Sequence, residues 1–328
     1  MSEKISKEAL FNEIKGSLFE FLVARRLASL NHQELQFLQS IDQNYLKVLG
    51  QQDQLVRQYY PEMIHFLSSS AAAVVEKMMK HFGEIPASPK LKGKLTQSSS
   101  GADFSEADLM VEVSGRLLPI SLKLNKAHSF VNTKSGGIKS FFSHYFAFIS
   151  PSFQENFNQF VDQEFNRLAL DLHALNDWDF PGDFSFWVQS GKSELPGELD
   201  EKERDCLKAF YARIASRMHE ILTSAFLKDH QSFLEALAPL MGFSHPDLIQ
   251  VICYHQFKSQ GEASVEIHSL NEIRPIGSET YIKDFRQTSS VELVVGEIDL
   301  QIRVKPMNKF TTTAIKINCS LKPRRSLS

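Results

Sequence analysis

The chain has 328 residues, 42% of them apolar and 23% charged, and a net charge of −3. That is the make-up of a soluble globular protein of one large or two ordinary domains, and it excludes a global basic field for nucleic acid. Cys206, Cys253 and Cys319 stand far apart with no CxxC or CxxH pair, which argues against structural zinc and a disulfide framework and for a reducing, cytoplasmic compartment.

The N-terminus lacks the apolar run of a secretory signal, and no stretch of about 18 apolar residues is available to span a membrane. Residues 5–82 read as helices. Leu10, Ile14, Leu18, Phe21 and Leu22 recur at helical spacing, a second helix is expected over "NHQELQFLQSIDQNYLKVL", and a third follows Pro61. Residues 83–102 are rich in Pro, Gly, Ser and Lys and read as a connector.

Two strands come next, "ADLMVEV" and "LLPISLKLN". Then a glycine-rich loop, "NTKSGG", leads into a helix over "IKSFFSHYFAFI". Residues 151–258 read as mostly helical, and 262–322 turn β-branched and alternating. The expected class is α+β or mixed α/β, in three segments: helices and core strands over 1–150, a helical insert over 151–260, and a β-rich segment over 261–328.

The two strands carry the chemistry. Leu109, Val111 and Val113 share one face of the first. On the second, Ile120, Leu122 and Leu124 share a face, and Ser121 and Lys123 the other. A two-residue turn at Gly115-Arg116 would close the hairpin with Leu109 against Leu122 and Asp108 against Lys123, and the apolar faces then coincide. Taken alone, Asp108 and Lys123 read as a cross-strand ion pair. On the first helix, Glu20 sits in a stripe with Glu13, Gly16 and Ala24 that another element could approach closely.

Gly16 to Glu20 as G-x-x-x-E on a leading helix, Asp108 opening a strand, and "ISLK" ending in Lys123 on the next strand together resemble the PD-(D/E)xK nuclease superfamily, over roughly residues 12–148. The resemblance implies a restriction-endonuclease-like core, a central mixed sheet flanked by helices. It implies Mg²⁺- or Mn²⁺-dependent hydrolysis of DNA phosphodiesters, of a restriction or phage-defence type, with a homodimer as the family's common state. It assigns Asp108 and Glu20 to the metal and Lys123 to the attacking water. Ser121 stands where the family usually has a carboxylate, with Glu112 and Asp103 as fallback carboxylates. Mg²⁺ needs only one or two protein carboxylates when water and phosphate complete its shell.

Residues 86–145 hold eight Lys and Arg against four Asp and Glu. Within them Lys126, Asn132, Lys134, Ser135 and Lys139 follow the catalytic strand, and the Gly136-Gly137 pair before a helix would offer amides to a phosphate. Arg303 and Lys305 share a strand face further on and read as a second DNA contact, or as an ordinary soluble surface. The alternative function is a nuclease fold that has lost catalysis and only binds nucleic acid or protein.

Overall fold

A computed structural model describes residues 2–92, 106–126, 129–255, 263–273 and 279–324. It is a mixed α and β protein in two compact units. One comprises residues 1–129 and 243–272, the other residues 130–242 and 273–328. This division differs from the three segments expected from sequence, because the chain leaves the first sheet after its third strand and returns to it more than a hundred residues later.

The first unit opens with four helices, α1 (Ser2–Leu30), α2 (Glu34–Ser40), α3 (Gln43–Tyr59) and α4 (Pro61–Phe82). The single helix expected over residues 31–49 is broken. Ile41 is extended, and the Asp42 carboxylate caps α3 by accepting from the Asn44 and Tyr45 amides at 2.9 and 3.0 Å. α4 begins and ends as its sequence signals, with Pro61 in the first turn and Gly83 left-handed at φ 74° after the last.

Its sheet has the order β1-β2-β3-β5-β6, with β1 Ala87–Leu91, β2 Leu109–Val113, β3 Arg116–Lys126, β5 Ile249–His255 and β6 Ser264–Ser269. β3 and β5 run parallel and the other pairs antiparallel, so the sheet is mixed. Leu18, Val23 and Leu27 of α1 and Leu67, Val74 and Met78 of α4 form one core with Leu109, Val111, Ile120, Leu122 and Val251. Fully burying each of these aliphatic side chains contributes on the order of 1.5–3 kcal/mol.

Three expectations are corrected here. The connector contains β1, an edge strand that tolerates Pro89 because one side of its ladder is open. Residues 249–255, assigned to the helical insert, form β5, which is buried along its whole length as parallel strands usually are. The hairpin register differs by two residues: Leu109 pairs with Ile120 and Val113 with Arg116. Ser114 and Gly115, at φ 50° and 75°, are the two central turn residues, and positive φ at both is the turn that matches strand twist. A shift of two keeps every side chain on its expected face.

The second unit has the sheet order β4-β10-β9-β8-β7, all antiparallel. The strands are β4 Val131–Gly137, β7 Thr280–Ile282, β8 Ser290–Val295, β9 Ile298–Lys305 and β10 Lys316–Pro323. Its helices are α5 (Phe141–Tyr145), α6 (Pro151–Ala174), α7 (Ser185–Gln189), α8 (Glu201–Lys228) and α9 (His230–Leu240). Phenylalanines fill its interior: Phe142 meets Phe157 edge-on at 5.1 Å, and Phe146 lies 5.5 Å from Phe233.

"NTKSGG" is therefore a strand and not a loop, and the aromatic helix after it shortens to a 3₁₀ turn and the five residues of α5. The α5 amides of Phe142 and Ser143 donate to Gln154 Oε1 at 2.7 and 3.1 Å. These two amides are thus already engaged, and Gly136 and Gly137 belong to β4, opposite Ile317 and Lys316. Among the described residues, no helix is long and apolar enough to cross a membrane.

Candidate active site

The candidate site is built where β2 gives way to the segment before it. Asp108 precedes the first residue of β2. Its amide donates to the Ile120 carbonyl at 2.9 Å, and its carbonyl accepts from Lys92 at 3.0 Å, so its backbone is held between β1 and β3. β3 continues past this point with no β2 residue opposite Leu122. The Leu122 N–H still faces that edge, and Asp108 Oδ2 accepts it at 2.7 Å. A side-chain oxygen thus stands in for the missing ladder carbonyl.

The same oxygen accepts from Ser121 Oγ at 3.2 Å and lies 3.5 Å from Lys123 Nζ. Ser121 is buried, whereas Lys123 and Asp108 keep 30% and 24% of their side-chain surface, enough to meet a ligand. Asp108, Ser121 and Lys123, proposed from sequence, therefore come together. They do so around one carboxylate oxygen and not as the Asp108–Lys123 cross-strand pair that the expected register required.

Further polar groups share that sheet face, and sequence reasoning missed them. Ser121 is in register with Gln250 of β5 and His268 of β6, and Lys123 with Ile252 and Glu266. Side chains in register leave a sheet on the same side. Glu266 Oε2 and His268 Nε2 are 3.2 Å apart. Burial and the Glu266 carboxylate push the Tyr254 phenol well above its ordinary value. A signal was present: Gln250 interrupts an apolar run as Ser121 does, and Glu266 and His268 alternate within β6.

Glu20 has a different neighbourhood. It is half-buried on α1 beside Tyr45 of α3, whose phenol is raised first by burial and then by the Glu20 charge. Ser121 and Lys123 alternate away from Ile120 and Leu122, the β3 residues that pack with α1. The groups that meet Asp108 Oδ2 are thus the Leu122 amide, Ser121 and Lys123. Of the fallback carboxylates, Glu112 is exposed near the hairpin tip, in register with Leu117, and Asp103 lies outside the described residues. Among the described residues, no group of three or more His, Cys, Asp and Glu is arranged to hold a metal ion.

The basic stretch divides between the two units. Lys126 ends β3, in register with His255. Arg116 lies 3.8 Å from Asp247, and Lys139 pairs with Asp162 at 2.7 Å, so these two cations already have carboxylate partners. Asn132 and Ser135 are exposed on β4, opposite Ser320 and Asn318, while Lys134 is opposite buried Cys319. The second sheet brings Ser135, Asn318 and Arg303 into one row and sets Lys305 beside Lys316. The chain matches no known protein family, curated protein or solved structure.

Proposed function

We propose that the protein hydrolyses phosphodiester bonds of DNA at the Asp108–Ser121–Lys123 edge, as a metal-dependent endonuclease with a restriction-endonuclease-like core. The observation that carries this reading is the convergence itself. Residues from β3 and from the segment leading into β2, picked by their resemblance to PD-(D/E)xK nucleases, meet at one carboxylate with an ammonium 3.5 Å away. The mixed sheet behind α1 and α4 is the kind of frame that resemblance implies.

The donor set suits a hard cation. Asp108 supplies a carboxylate and Ser121 a hydroxyl. The Leu122 carbonyl leaves its strand on the same side as the amide that Asp108 accepts, since the two groups of one residue point the same way. These are oxygen ligands of the type Mg²⁺ takes, with water and substrate phosphate for the rest. When bound, such a cation supplies charge neutralisation and an acidified water. Lys123 would orient the attacking water or steady the charge developing on phosphate. Ser121 and the Leu122 amide hold the Asp108 carboxylate in place.

A second reading has an observation of its own. Asp108 Oδ2 already accepts two hydrogen bonds and lies 3.5 Å from the Lys123 ammonium, which is what a purely structural lock on the β3 edge would look like. A nuclease-like fold that binds without cutting would keep that lock. Plasmid cleavage in Mg²⁺ or Mn²⁺ separates the two. Catalysis predicts that Lys123→Ala and Asp108→Asn abolish cleavage while leaving DNA binding intact. Equal nicking by the wild type and Lys123→Ala would remove the catalytic reading.

A further inference from the structure

We propose that the exposed Lys305–Lys316 end of the second sheet's outer face seats the phosphate backbone of duplex DNA. The proposal rests on the reading that the protein acts on DNA, but it concerns a surface in the second unit, where the Asp108 site does not lie.

Inward-facing residues of β9 and β10, among them Ile302, Val304, Ile317 and Cys319, are buried. The alternate residues form the other face. Along it the register sets Asp299 beside Lys322, Gln301 beside Ser320, Arg303 beside Asn318 and Lys305 beside Lys316. Charge is sorted along these rows.

At one end the acids are engaged. Asp299 is 2.9 Å from Lys283 and 3.9 Å from Arg324, and Glu292 is 3.4 Å from Lys283. At the other end Arg303, Lys305 and Lys316 are exposed, and among the described residues no carboxylate lies within ion-pair distance of them. Lys305 and Lys316 are direct cross-strand partners, an arrangement that costs stability because like charges oppose each other. A polyanion laid across the pair turns that repulsion into attraction.

The surface is also shaped. A groove of about 280 Å³ is lined by Lys305, Lys316, Asn308, Lys309 and Thr312. Lys309 is fixed there by Glu194 at 2.6 Å. Arg303 and Lys305 lie two residues apart on β9, about 7 Å at the usual strand rise, so they can meet successive anionic groups. Backbone contacts of this kind position a duplex and read no sequence.

The test is fluorescence anisotropy of a labelled DNA duplex in EDTA, where no metal-dependent cleavage intervenes, titrated at several salt concentrations. Arg303→Ala/Lys305→Ala/Lys316→Ala is expected to weaken binding at least tenfold and to lower the slope of log K against log salt by about 2–3, one counterion for each lost contact. Lys305→Arg/Lys316→Arg is expected to bind like the wild type, and matched melting temperatures exclude misfolding. Binding and slope unchanged in the triple variant overturn the proposal, as does a wild type that binds no duplex. Competition by polyglutamate as effective as by DNA would assign the face to an acidic protein and also overturn it. Loss of cleavage in Lys123→Ala is read separately, so either idea can fail alone.

Discussion

Replacing Asp108 with alanine removes three interactions at once, and the structure ranks them. The Leu122 amide, whose residue is only 4% exposed, loses the acceptor at 2.7 Å. A buried donor left without a partner costs about 1–3 kcal/mol. The Ser121 hydroxyl loses a longer bond, at 3.2 Å, inside a buried site, and a net hydrogen bond of that kind contributes about 0.5–1.5 kcal/mol. The Lys123 ammonium at 3.5 Å is partly exposed, and such pairs contribute about 0–1 kcal/mol. Asp108→Ala is therefore expected to destabilise the first unit by about 2–4 kcal/mol, against less than about 1 kcal/mol for Lys123→Met. Urea unfolding measures the totals, and native-state hydrogen exchange of the Leu122 amide measures the site. That amide should exchange much faster in Asp108→Ala and hardly faster in Lys123→Met. Equal destabilisation by the two, with Leu122 protection unchanged, would refute the edge-lock argument.

Other expectations follow from single features. Gly115→Val should cost about 1–3 kcal/mol in the same unfolding assay, because Gly115 sits at φ 75° where a β-branched residue is strained. Burial, and then the charges of Lys15 and Lys126, push the His255 imidazole down to about 4. The folded state then binds fewer protons than the unfolded state between that value and the ordinary 6.5, so stability present above pH 6.5 is lost as pH falls, by up to about 3 kcal/mol. His255→Gln should flatten that stretch of the stability–pH curve, measured by urea midpoints at pH 7 and 5. In the second unit Glu203 is buried. Burial raises its carboxyl, but bonds from Lys192 at 2.8 Å, Asn176 and the Asp200 amide outweigh that and hold it below its usual range. Lys192→Met should destabilise by about 2–4 kcal/mol near neutral pH, since it strands a buried charge, and the penalty should shrink as acid protonates Glu203.

Features that depend on local chemistry were legible in the sequence. α4 announces its start with Pro61 and its end with Gly83, and the faces of β2 and β3 follow from strict alternation. β8 and β9 lie inside the alternating C-terminal run, though the turn that parts them at Gly296, φ 54°, shows only in the structure. What sequence missed depends on distant partners. β5 is a short, fully buried apolar run, which helix and strand periodicities describe equally well until β3 is known to lie beside it. β4 looks like a loop because two glycines and a serine dominate it, yet β10 supplies the ladder that makes it a strand. At the site, Asp108, Ser121 and Lys123 were readable because they lie within one hairpin. Gln250, Glu266 and His268 show in the sequence only as polar breaks in their strands, and their place beside the hairpin does not, because more than a hundred residues separate them from it. The two-residue register difference came from Ser114, whose positive φ no rule of thumb for serine would suggest.

The parallel pairing of β3 with β5 also sets a timetable. β3 ends at Lys126 and its neighbour begins at Ile249, so a ribosome working at about 5–20 residues per second makes the first wait on the order of ten seconds for the second. For that interval the nascent chain carries an open strand edge, the kind of template that recruits other chains. Charged residues blunt such edges, and Lys123 and Lys126 lie on this one. The lysine given a chemical role in the proposed function thus also stands where a charge blunts the edge of a half-built sheet.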